Sequence, residues 1–305
     1  MPEAPLADAP AGTLMAGKRG LVMGVANDRS IAWGIARAVA AQGAEVAFTY
    51  QGEALEKRVR PLAESVGGRH VLACDVADDA SVDAAFKALE EDWGGLDFLV
   101  HAIGYADKQY LRGRYLDTPR DAFLQALDIS CYSFVSVCRR AVPLMRPGGS
   151  LLTMSYLGAE RVTPHYNVMG VAKAALEASV RYLAADLGTA GIRVNAISAG
   201  PLRTVAARSI SGFGGMFEVA GKLSMLKRNI TQEEVGGMAL SLLTDELGGI
   251  QRAGLHGLED VAGGQVHHRH AHLLPDLAAQ AGRTHAQALH VGHGLEFLAE
   301  PAAHL

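Results

Sequence analysis

Six short apolar runs punctuate the chain between residues 19 and 197, separated by longer stretches in which apolar residues recur every three or four positions. The runs read RGLVMG (19–24), AEVAFTY (44–50), HVLACD (70–75), LDFLVHA (96–102), GSLLTM (149–154) and IRVNAI (192–197). Each is too short for a typical helix and apolar at consecutive positions, the pattern of a strand buried on both faces. Between them, IAWGIARAVAAQ, SVDAAFKALEEDW, PRDAFLQALDISCYSFVSVCRRAVPLM and the segment after Tyr166 show helical spacing. Alternating strands and helices call for a parallel sheet with right-handed crossovers and helices on both faces. The pattern predicts one α/β domain built on a doubly wound, Rossmann-type parallel sheet. Pro61 in EKRVRPLAESVG is expected to kink or shorten the helix after the second strand.

In such a sheet the ligand lies beyond the carboxyl ends of the strands, near the point where strand order reverses. The turns leaving the first four strands read GVANDRSIAWG, YQGE, CDVAD and HAIG. The first offers Gly24 for a tight turn. Ser30 and Ile31 then open a helix whose free N–H groups and positive dipole end suit a pyrophosphate, although the spacing is not GxGxxG. Asp75 and Val76 are placed to meet an adenine, and Asp75 would serve equally as the N-cap of the following helix.

The stretch SYLGAERVTPHYNVMGVAKAALEA, Ser155 to Ala178, holds two tyrosines and a lysine. An α-helix turns about 100° per residue, so Tyr166 and Lys173 return to nearly the same face and line one cleft. Tyr156 precedes that helix on a loop leaving a strand, and Gly188 marks its expected end. In isolation an ordinary half-buried tyrosine and a solvated lysine would look the same.

Composition narrows the classes. The 305 residues, 49% of them hydrophobic, suffice for one large domain or two small ones. A net charge of −4 with dispersed basic residues implies neither a nucleic-acid groove nor an anionic membrane surface, so a small-molecule or protein partner fits better. Cys74, Cys131 and Cys138 have no CxxC spacing and read as reduced thiols of a cytoplasmic protein, with no redox or zinc role. Residues 1–17 lack the basic and apolar regions of a secretory signal and read as a flexible leader, with Met15 a candidate for the original start. The domain is expected to span 18–248, and no apolar run reaches membrane-spanning length.

Taken together, GVANDRSIAWGIA, AEVAFTYQ, CDVADDAS, SYLGAERVTPHYNVMGVAK and GIRVNAISAGPLRT resemble the divergent branch of the short-chain dehydrogenase/reductase superfamily. They are similar in particular to the NADH-dependent enoyl-acyl-carrier-protein reductases of bacterial fatty acid synthesis. The resemblance runs from about Lys18 to about Asp245. It implies Tyr156, Tyr166 and Lys173 as active-site residues, with the Tyr-to-Lys spacing of this branch rather than that of the alcohol-oxidising one. It places cofactor contacts on Gly24, Ser30, Ile31, Gln51, Asp75, Val76, Ile103, Gly104, Lys173 and Thr204. Ala102 stands where many relatives carry serine. The reaction implied is reduction of the trans-2 double bond of an enoyl thioester on acyl carrier protein, with NADH favoured over NADPH. A homotetramer is also implied.

Segment 203–228 mixes Phe213, Met216, Phe217, Leu223 and Met225 with glycine and serine breaks, and reads equally as a lid over an acyl chain or as a surface helix. Its basic residues Arg203, Arg208, Lys222, Lys227 and Arg228 suit an acidic carrier protein or a solvated face. Beyond LSLLTDELGGI the resemblance stops. Residues 249–305 hold nine of the twelve histidines, and Gly264 to His268 only faintly echo the family's last strand. This stretch is expected to be poorly ordered, leaving a sheet edge unpaired and the tetramer weakened. The cluster His267, His268, His270 and His272 lacks the cysteine or acidic partners of a metal site, and no metal is expected. Two classes of function are compatible with these residues: an enoyl thioester reductase, and a dinucleotide-binding scaffold or sensor that no longer turns over.

Overall fold

The computed structural model describes residues 11–208, 212–245 and 254–255. Seven parallel strands run in the spatial order β3-β2-β1-β4-β5-β6-β7. They are β1 (Arg19–Met23), β2 (Glu45–Tyr50), β3 (Val71–Ala73), β4 (Leu96–His101), β5 (Met145–Ser155), β6 (Arg193–Ser198) and β7 (Gly254–Leu255). Helices α1 (Ile31–Ala41), α2 (Glu53–Ser65) and α3 (Asp79–Trp93) make the crossovers of the first half. In the second half, α4 (Arg120–Leu127) and α5 (Ser133–Ala141) flank a π-turn, and α6 (Asn167–Leu187) precedes β6. Short α7 (Val205–Arg208), α8 (Phe213–Leu223) and α9 (Gln232–Leu243) follow.

The consecutive apolar positions of the strands have a direct cause. Side chains alternate across a strand, so a sheet covered on both faces must be apolar at every position. Leu21, Leu99 and Leu151 lie in register across β1, β4 and β5. They pack with Val82, Leu89, Val137 and Leu176 from α3, α5 and α6. Their neighbours Val22, Val100 and Leu152 point the other way, to Ile35 and Val39 of α1 and Val235 and Leu242 of α9. Each large apolar side chain fully buried in these two layers contributes about 1.5–3 kcal/mol. The switch point falls between β1 and β4, and the turns that leave these strands open on the same edge.

Three expectations change. Met15 is fully buried, Gly12 N–H donates to Ala41 O and Met15 N–H to Gln42 O, each at 2.9 Å, so residues 12–15 are already packed ahead of the expected start at 18. Helix α2 runs through Pro61 unshortened: Pro61 is exposed, so the carbonyl it leaves without a partner faces water. Gly188 is the C-cap of α6, as expected, and one further 3-10 turn leads to left-handed Gly191, φ 72°. The edge of β6 is paired at two positions, Ala196 with Gly254 and Ile197 with Leu255. The remainder of 249–305, with Gly264 to His268 and the histidine cluster, lies outside the described residues. Among those described, no helix is long and apolar enough to cross a membrane, and no cluster of metal ligands occurs.

Candidate active site

The carboxyl ends of β4, β5 and β6 and the start of α1 open into a cavity of about 510 Å³. Tyr156, Tyr166 and Lys173 all line it, as do Ile31, Ile103, Gly104 and Thr204. Tyr156 follows β5 directly, and Tyr166 is the N-cap residue of α6. Their rings meet edge to face, 5.0 Å apart at 66°. Tyr166 is flanked by two residues with positive φ, His165 at 60° and Asn167 at 33°. Such conformations are uncommon outside glycine and are retained where the surroundings impose them. Asn167 Nδ2 donates to Arg112 O at 3.4 Å and to Gly113 O at 3.3 Å, which holds the turn in place.

Two turns into α6, the buried Lys173 ammonium donates to Met154 O at 2.9 Å. An ammonium has three donors. Met154 O takes one, while the side chain faces the cavity. Burial lowers the Lys173 pKa to about 8, opposed by the charges of Cys131 and Glu177. Burial raises that of Tyr166, reinforced by Tyr156 and Glu177, so its hydroxyl stays protonated. Glu177 is itself held by the Ser155 hydroxyl.

Gly24, Ser30, Gln51, Asp75 and Val76 lie along the ends of β1 to β3, outside the cavity lining. Gly24 has φ 98°, and a Cβ there would come within 2.7 Å of the Ala102 carbonyl carbon, so the turn needs glycine twice over. The Ser30 hydroxyl accepts from Ala26 N–H at 3.0 Å and Asn27 N–H at 3.1 Å, which braces the turn. This leaves the N–H groups at the start of α1, beginning with that of Ile31, to meet an anion. Gln232 of α9, which the sequence pattern does not single out, donates to Asp28 O at 3.1 Å and to Ser30 O, fixing the same turn from behind. Gln51 Nε2 donates to Asp75 Oδ2 at 2.9 Å, joining two positions that no local motif connects. The N-cap of α3 is Asp78, not Asp75. Thr204 caps the first turn of α7, its hydroxyl accepting from Ala207 N–H at 3.1 Å.

Phe213 and Met216 of α8 close one side of the cavity, and the Tyr156 hydroxyl reaches Met216 Sδ at 3.6 Å. Part of the basic charge beside α8 is engaged: Arg203 stacks over Phe217 at 4.5 Å and Arg228 pairs with Glu234.

A dinucleotide fits these residues: a glycine turn against backbone, a helix N-terminus, and a buried ammonium with donors to spare at the switch point. Fold and site define an oxidoreductase of the short-chain dehydrogenase/reductase class. The family model described as Enoyl-(Acyl carrier protein) reductase matches residues 24–256. The chain is 57% identical over 260 residues to enoyl-acyl-carrier-protein reductase (NADH) 1 of Rhizobium meliloti, covering 85% of this chain and 91% of that one. It is 61% identical over 232 residues to reductase 2 of the same organism, covering 76% and 87%. A crystal structure of the enoyl-acyl-carrier-protein reductase of Anaplasma phagocytophilum in complex with NAD superposes with a TM-score of 0.77 at 55% identity, covering 82% of this chain and 93% of that one. The chain belongs to the enoyl-acyl-carrier-protein reductase family.

Proposed function

We propose that this chain reduces the trans-2 double bond of an enoyl thioester carried on acyl carrier protein, the last step of the fatty acid elongation cycle. The observation that carries the reading is the pairing, in one cavity, of a protonated Tyr166 hydroxyl with a buried Lys173 ammonium two helical turns away. NADH supplies the hydride. Negative charge then gathers on the thioester carbonyl oxygen, Tyr166, a buried and fixed donor, stabilises it, and a proton from water adds at the α-carbon to complete the reduction. Lys173 holds the nicotinamide ribose hydroxyls with the donors that Met154 leaves over, and its charge favours electron build-up nearby. Tyr156 orients the thioester against Met216 and Phe213. Ile31 and its neighbours in α1 take the pyrophosphate, Ile103, Gly104 and Thr204 border the nicotinamide half, and Gln51, Asp75 and Val76 border the adenosine. The Asp75 carboxylate beside Gln51 disfavours a 2′-phosphate, which supports NADH over NADPH.

In this reading the exposed Lys222 and Lys227 beside α8 face the acidic carrier protein. A homotetramer belongs to the same reading, with exposed Leu124, Tyr132 and Tyr182 offering apolar surface to further copies. Following NADH absorbance with a crotonyl or longer enoyl thioester tests the activity. A chain that binds NADH yet leaves the absorbance unchanged would instead be a scaffold or sensor.

A further inference from the structure

The helix that follows residue 119 is not uniform. Between α4 and α5 the five residues Asp128–Tyr132 form a π-turn. A π-turn inserts an extra residue, shifts the register of the side chains around it and is frequent at functional sites. Here it carries Ser130, which is fully buried. The Ser130 hydroxyl accepts from Tyr105 N–H and donates to Tyr105 O, both at 2.9 Å, across 25 residues of chain. One turn further on, Ser133 Oγ donates to Ile129 O at 2.7 Å and meets His101 Nε2 at 2.8 Å. The segment from the end of β4 is thus fastened twice, at Tyr105 to the π-turn and at His101 to the first residue of α5.

Between those fastenings lies Gly104, where a Cβ would stand 3.8 Å from Ser130 Oγ and 3.5 Å from Lys173 Nζ. Beyond them, Tyr105, Ala106, Asp107 and Lys108 form a wall of the cavity. Tyr105 is 47% exposed as a residue, while its backbone N–H and C=O both turn inward to the fully buried Ser130 hydroxyl. The two bonds fix where the backbone of this loop runs, and their consequence for the site is geometric. We infer that Ser130 is a positioning residue: it sets loop 105–108 at the distance from Tyr166 and Lys173 at which the acyl thioester fits. This rests on the reductase reading of the site.

The test compares wild type, Ser130→Ala and Ser130→Cys, the last keeping a weak donor of similar size. The readouts are KM and kcat for a crotonyl thioester, the Kd of NADH, and hydrogen exchange at the Tyr105 amide. In Ser130→Ala we expect the Tyr105 amide to lose protection and KM to rise about tenfold, the scale of one or two ordinary hydrogen bonds, while NADH Kd and melting temperature hold. Ser130→Cys recovers part of the KM. Loss of Tyr105 protection with an unchanged KM overturns the inference, as does a KM that rises only together with NADH Kd and unfolding. Wild type that fails to reduce the thioester at all overturns the reductase reading instead.

Discussion

Replacing Tyr166 by phenylalanine isolates one atom of the proposed chemistry. The ring stays, and with it the edge-to-face contact with Tyr156 at 5.0 Å. The hydroxyl that opens on the cavity is all that goes, so the fold loses at most about 1 kcal/mol. The transition state loses much more. Loss of one preorganised donor to a developing oxyanion costs about 2.7–4 kcal/mol, or roughly a hundred- to a thousandfold in kcat. NADH affinity should stay near wild type, because Lys173 and the α1 N-terminus are untouched. The assay is steady-state turnover with saturating NADH and a crotonyl thioester, paired with a calorimetric NADH titration. Because burial raises the Tyr166 pKa above its ordinary 10.0, the wild-type rate should show no alkaline loss from this group below pH 10. A Tyr166→Phe enzyme with wild-type kcat would remove this residue from the reaction, however well the ring is placed.

Four further outcomes follow from the same geometry. Lys173→Ala should weaken NADH binding as well as turnover, and Lys173→Arg should be impaired too, since a planar fork does not replace a compact ammonium. With the Lys173 pKa lowered to about 8, the ammonium is lost as pH rises through that value, so wild-type NADH affinity should fall above pH 8; calorimetry giving a flat profile would contradict the ribose assignment. Gly24→Ala should lose about 1–3 kcal/mol to backbone strain, and more to collision with the Ala102 carbonyl, read as a lower melting temperature and weaker NADH binding. Buried His101, with its pKa lowered to about 3 by burial and by Lys173, is neutral in the fold but binds a proton below about pH 6.5 once unfolded. Its contribution is present above that value and is lost toward pH 3, at about 1.4 kcal/mol per pH unit, so His101→Gln should flatten the acid limb of denaturant-derived stability by one proton.

Much of this molecule is local, and local features were legible in the residues. A strand covered on both faces must be apolar throughout, so six of the seven strands and their parallel order of crossovers could be read directly. The seven-residue step from Tyr166 to Lys173 is a property of helix geometry, and Gly24 announces a tight turn wherever it leaves a strand. Other decisions belong to pairs of residues far apart in the chain, and no periodicity encodes them. Gln51 meets Asp75, Ser130 meets Tyr105 and His101 meets Ser133 only once the strand ends are aligned. Asp75 kept its place but does not cap the helix, because Asp78 takes the helix end and Gln51 meets the Asp75 carboxylate. Apolar spacing over 119–145 is shared by an unbroken helix and by one with a single inserted residue, and packing against β4 selects between them. Hydrophobic pattern reports which face of an element is buried. Which atom it meets there depends on register and crossing, and these are settled only when distant segments pack together.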